Sequence, residues 1–116
     1  METRTVVEAE RRANQLVAEN RAVDVRFEDA SEAQGLRKAS ERAGTLRIVS
    51  IAGLDRSACG GTHVRTTGEI GPILLRKTEK IRQSVRVEFV CGGRAVRRAR
   101  ADFEALSRVE IGRAHV

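Results

Sequence analysis

Thr45-Leu46-Arg47-Ile48-Val49-Ser50-Ile51 is rich in β-branched and aliphatic residues at odd and even positions alike. A strand built from it is apolar on both faces, which marks the centre of a sheet. Working outward, Val85-Arg86-Val87-Glu88-Phe89-Val90-Cys91 places Val85, Val87, Phe89 and Cys91 on one face of a second strand. Between the two, Ile73-Leu74-Leu75 predicts a third strand that opens after Pro72, since proline cannot donate to a ladder from mid-strand. Upstream, Ala22-Val23-Asp24-Val25-Arg26-Phe27 alternates as a short half-buried strand does.

Helical periodicity fills the remainder. Thr5-Val6-Val7-Glu8 forms a capping box, and Val6, Ala9, Ala13, Leu16 and Val17 carry the apolar stripe of a helix ending near Asn20. Ser31-Glu32-Ala33-Gln34 repeats the capping pattern ahead of Leu36, Ala39 and Ala43, with Gly44 placed to stop a second helix. After the break at Gly92-Gly93, the spacing of Val96, Ala99, Phe103 and Leu106 predicts a closing helix whose other face holds Arg94, Arg97, Arg98 and Arg108. The order α-β-α-β, glycine-rich loop, β-β-α predicts an α+β fold: an antiparallel sheet with helices mainly on one face.

A chain of 116 residues has room for one ordinary domain. With 41% hydrophobic and 33% charged residues it reads as a soluble globular protein, and no apolar run approaches a membrane span. Two cysteines do not make a disulfide framework, and the start lacks the pattern of a secretory signal, so a cytoplasmic setting is expected. Charge is unevenly divided. Residues 1–44 carry eight Arg/Lys against nine Asp/Glu, whereas residues 45–116 carry fourteen against seven. Such a local excess suits a polyanionic partner or a solvated basic surface. Walker and dinucleotide-binding glycine patterns are missing from the sequence, so nucleotide binding by those routes is not indicated.

Chemistry concentrates in Cys59-Gly60-Gly61-Thr62-His63, where a thiol and an imidazole, both good zinc ligands, sit four residues apart. Two glycines disfavour a helix there by about 1 kcal/mol each relative to alanine, so the two side chains would have to converge through a tight loop. They would then share a cleft beside the strand of residues 45–51. The spacing alone also accommodates a buried structural cysteine near an unrelated histidine. Cys91-Gly92-Gly93 echoes the loop, but Ala95 stands where a histidine would, and Cys91 reads as a core residue ending a strand.

A longer run carries a family resemblance: Leu46 to Ile51, Asp55, Cys59-Gly60-Gly61-Thr62-His63-Val64, Thr67-Gly68-Glu69-Ile70-Gly71, Glu79-Lys80-Ile81-Arg82-Gln83 and Arg86 to Ala95. It resembles the C-terminal part of the second additional domain of alanyl- and threonyl-tRNA synthetases and of free-standing alanyl-tRNA editing proteins, the alanyl branch more closely. The resemblance implies zinc-dependent hydrolytic editing of mischarged aminoacyl-tRNA. It implies Cys59 and His63 as metal ligands, Gly60, Gly61 and Thr62 next to the substrate, and tRNA bound by its acceptor stem and 3′ end. In that family an H-x-x-x-H pair completes the zinc site. The only other histidine of this chain is His115, in a stretch without periodicity, so an upstream segment or a second chain would complete the site.

One domain is therefore expected over residues 1–110, with 111–116 a disordered or non-native tail. Lys80, Arg82, Arg97 and Arg98 are the candidate tRNA contacts. With three Phe and neither Tyr nor Trp, little material exists for a stacking platform, so phosphate and shape contacts are the expected mode. Thr62 suits a substrate hydroxyl or its own loop backbone equally. A non-catalytic tRNA-binding accessory domain is the alternative function. A structural zinc domain ranks below both, because it normally requires four protein ligands.

Overall fold

The computed structural model describes residues 3–36 and 44–114. Among the described residues, two α-helices and five strands, the strands paired antiparallel throughout, give an α+β fold. The strands divide between a three-stranded sheet and a two-stranded one. The chain forms two compact units: residues 16–69, and residues 1–15 together with 70–116.

The first unit is organised by β2 (Thr45–Ile51), which pairs with β1 (Val23–Asp29) on one side and β3 (Asp55–Ala58) on the other. Its central place follows from its composition. Leu46 and Ile48 are 3% and 1% exposed on one face, and Val49 is 7% exposed on the opposite face. The turn from β2 to β3 closes with Leu54 N–H donating to the Ile51 carbonyl at 2.9 Å, and Gly53 adopts φ 69° within it. The last residues of α1 (Thr3–Ala18) also belong to this unit. Asn20 ends that helix in the left-handed region, φ 50°, its N–H on the Val17 carbonyl at 3.1 Å. Thr67, only 4% exposed, fastens the chain there. Its hydroxyl donates to the Leu16 carbonyl at 2.6 Å and accepts the Arg21 N–H at 2.8 Å.

The helix expected from Ser31 does not begin. Residues 31–36 are turn and irregular structure: one turn closes at Asp29 and is not continued. Its carboxylate accepts both the Ser31 N–H and the Ser31 hydroxyl, and its carbonyl accepts the N–H groups of Glu32 and Ala33, each at 3.0 Å. These bonds close a single turn, after which residues 33–36 run irregular. The remainder of that expected helix, including Ala39 and Ala43, lies outside the described residues.

In the second unit β4 (Ile73–Ile81) and β5 (Ser84–Cys91) form a hairpin. The strand expected from Ile73-Leu74-Leu75 is thus three times as long as its apolar core. Residues one helical turn apart on α1 satisfy the outer edge of β4: Glu10 accepts the Leu75 N–H at 2.9 Å, and Asn14 bonds both the N–H and the carbonyl of Ile73, at 2.8 and 2.7 Å. The register slips between Leu75 and Lys77, leaving Arg76 as an extra residue that pairs with Asp102. Gly71 and Gly92 approach so closely that a Cβ on Gly71 would lie 2.9 Å from the Gly92 Cα.

Helix α2 (Gly93–Ala114) packs on β5. Ala95 is buried at 3% exposure, but the rest of the apolar spacing is uncovered, with Val96, Phe103 and Leu106 between 58% and 59% exposed. One sequence expectation is corrected here: Cys91, which does end a strand, is exposed and not core. Residues 111–114 of the expected tail are helical, as the end of α2. Among the described residues no helix is long and apolar enough to cross a membrane.

Candidate functional site

Antiparallel pairing continues one residue past β3, where the Cys59 N–H donates to the Arg47 carbonyl at 3.0 Å. Arg47 then bends over the loop that follows. Its guanidinium donates to the carbonyls of Cys59 and Gly61, at 2.9 and 2.8 Å. One residue of the central strand thereby fixes the backbone on both sides of Gly60. The thiol of Cys59 is half-buried beside β2, whereas Gly60, Gly61, Thr62 and His63 are exposed. The chain is then recaptured by Val23 N–H on the Arg65 carbonyl at 2.8 Å and by the Thr67 bonds.

Neither glycine of the loop is demanded by the fold. Both lie outside the left-handed region; a Cβ on Gly60 would meet nothing within 4 Å, and one on Gly61 would meet only the Cys59 Sγ at an ordinary 3.6 Å. Cys59 and His63 were expected to share a cleft beside β2; Cys59 does follow the strand that pairs with β2. His63 projects from the exposed side of the loop, and neither residue lines any of the four principal surface clefts. Among the described residues no group of three or more His, Cys, Asp and Glu is placed to hold a metal ion. His115 lies outside the described residues.

The four candidate tRNA contacts all fall in the second unit, at two places. Lys80 and Arg82 are exposed at the hairpin tip, where Arg82 takes φ 55° in the two-residue turn between Ile81 and Ser84. Arg97 and Arg98 line a cleft on α2 with Arg94, Ala101 and Val90 of β5. Tip and base stand roughly 23 Å apart along β5. Arg94 belongs to this basic cluster, although the sequence reading had placed it only on the polar helix face. Arg47 was missed altogether. Its place in an apolar strand gave no sign that its guanidinium would reach across to a loop twelve residues on.

Strand order, the loop and its sequence define an α+β module with a thiol–imidazole loop anchored to a central strand. Residues 46–87 match the family described as the threonyl and alanyl tRNA synthetase second additional domain. It is 40% identical over 96 residues to the alanine–tRNA ligase of Methanobrevibacter smithii, covering 77% of this chain and 11% of that protein. Against the alanine–tRNA ligase of Cenarchaeum symbiosum it is 40% identical over 116 residues, covering 94% of this chain and 13% of the relative. For that of Pyrococcus furiosus the identity is 41% over 112 residues, with 89% and 12% covered. The chain thus spans 11% to 13% of the length of these curated relatives.

Proposed function

We propose that this chain supplies part of a hydrolytic site that edits mischarged aminoacyl-tRNA, of the alanyl-tRNA synthetase type. The observation that carries the reading is the Cys59–His63 loop, held to β2 by the two Arg47 bonds inside the stretch matching the family. A thiolate and an imidazole are a donor set suited to zinc, and Cys59 and His63 are the residues that would hold it. Two donors are half of a tetrahedral shell, so the others come from outside the described residues, from an upstream segment or a second chain. Zinc bound there would supply Lewis-acid polarisation of the ester carbonyl.

The chain's own residues position the substrate. Gly60 and Gly61 have room for side chains that the sequence does not use, which leaves bare backbone facing solvent for the aminoacyl end to approach. The exposed Thr62 hydroxyl is placed to bond a hydroxyl of the misattached amino acid, as serine on an alanine tRNA would present. Lys80, Arg82, Arg97 and Arg98 hold phosphates of the acceptor stem, and the free thiols Cys59 and Cys91 suit a cytoplasmic enzyme.

Metal analysis and hydrolysis of seryl-tRNA specific for alanine test the reading. The chain alone should be nearly metal-free and a poor deacylase. Supplied with the missing histidine pair, it should bind zinc and hydrolyse the ester, and Cys59→Ser should then abolish hydrolysis while tRNA binding persists. Stoichiometric zinc and fast turnover by the isolated chain would refute the half-site. A second reading, a non-catalytic tRNA-binding accessory domain, is favoured by the lack of a third ligand among the described residues. Retained RNA binding without hydrolysis in the completed form would decide for it.

A further inference from the structure

The register of the first unit sets three residues in one row across the sheet. Phe27 of β1 lies opposite Arg47 of β2, and Arg47 lies opposite Cys59 through the 3.0 Å ladder bond. Directly opposed residues of antiparallel strands project to the same face. Phe27 and Cys59 therefore share a face, about 9.5 Å apart over two strand spacings, with Arg47 between them. The Phe27 ring is 69% exposed, and its same-face neighbour on the edge strand, Val25, is 39% exposed. Phe103, by comparison, has the Arg100 guanidinium 5.6 Å from its ring centroid.

An uncovered ring on a polar edge strand gains nothing from burial and so contributes little to folding. What it offers is a flat apolar surface in the same row as Arg47 and the Cys59 loop. We propose that Phe27 and Arg47 form a platform for a single unpaired base at the 3′ end of an RNA, the base stacked on the Phe27 ring and its ribose directed toward the Cys59–His63 loop. This rests on the editing reading above, and it adds a base-stacking contact to a chain whose aromatic content alone argued against one. A platform for one base needs only one ring, and stacking of this kind tolerates any base because each has a π-face. Arg47, already bonded to two carbonyls, contributes its positive charge and keeps row and loop in register.

The test uses the full chain and an RNA hairpin whose short single-stranded 3′ tail ends in 2-aminopurine, whose fluorescence falls when the base stacks. Binding to the unaltered chain should quench the probe. Phe27→Ala should abolish the quench and weaken binding of the tailed hairpin about 5- to 140-fold, the range that one base stack corresponds to. Phe27→Trp should restore both, while a blunt hairpin without the tail should bind all three chains equally. Unchanged quench and affinity in Phe27→Ala would overturn the proposal while leaving the editing reading intact. So would light scattering that shows the unaltered chain self-associated and Phe27→Ala monomeric, since the ring would then be covered by a second copy. Failure of the unaltered chain to bind either hairpin would sink both this platform and the tRNA reading beneath it.

Discussion

Replacing Thr67 by valine removes a hydroxyl while keeping the shape of the side chain, and so isolates two hydrogen bonds. Thr67 is 4% exposed; the substitution takes away the donor to the Leu16 carbonyl at 2.6 Å and the acceptor of the Arg21 N–H at 2.8 Å. A buried polar group left without its partner costs about 1–3 kcal/mol. Leu16 and Arg21 are themselves half-buried, so water reaches part of what is lost, and the lower half of that range applies to each. The sum is about 2–4 kcal/mol, equivalent to a fall of roughly 10–20 °C in melting temperature for a domain of this size. Urea and thermal unfolding followed by circular dichroism give the number. Thr67→Ser is the control, because it keeps the hydroxyl and loses one methyl, and it should cost about half as much. A valine variant within about 0.5 kcal/mol of the parent, or a serine variant less stable than the valine one, would refute the role given to these bonds.

Gly71→Ala should destabilise the chain by at least about 2 kcal/mol in the same unfolding assay, because its Cβ would sit 2.9 Å from the Gly92 Cα at φ 74°. Asp29 is held below its ordinary pKa of 3.8 by the Ser31 hydroxyl first and the Ser31 N–H second. A depressed carboxylate contributes stability that is present above the unfolded pKa and lost as pH falls through the folded one. Ser31→Ala should therefore move the NMR-titrated pKa of Asp29 upward and flatten the acid limb of the stability profile below about pH 4. Neutralising Lys80, Arg82, Arg97 and Arg98 together should weaken binding to many RNAs alike and flatten its salt dependence. Unchanged affinity for tRNA in that variant would remove these residues from the interface.

Much of the fold could be read from local pattern. β2 was legible to the residue because apolar side chains on both faces allow only a central strand, and β5 and α1 followed from clean alternation and a helical stripe, although α1 begins at Thr3 and the capping box expected at Thr5–Glu8 lies inside it. β3 was not. Asp55-Arg56-Ser57-Ala58 has no apolar pattern, and its strand character comes from pairing with β2, a partner that sequence does not display. The helix expected from Ser31 is absent over residues 31–36, where one turn at Asp29 is not continued, and the rest of its span lies outside the described residues. In α2 the helical period was right and its burial was not, since only the first turn, through Ala95, is covered. Of the candidate site, the Cys59–His63 loop could be named from its residue types. What steadies it, Arg47, and what lies in row with it, Phe27, depend on register and were invisible beforehand.

The Arg47 bonds bear on the order in which folding and ion capture occur. In small metal-dependent domains the ion is the fastener, and stripping it unfolds the chain. Here residues 59 and 61 are tied to the central strand by protein hydrogen bonds alone. An arriving ion would have only the His63 side of the loop to immobilise, so little ordering entropy would be charged against its affinity. Chelation should accordingly silence such a site while leaving the melting curve of the chain almost where it was.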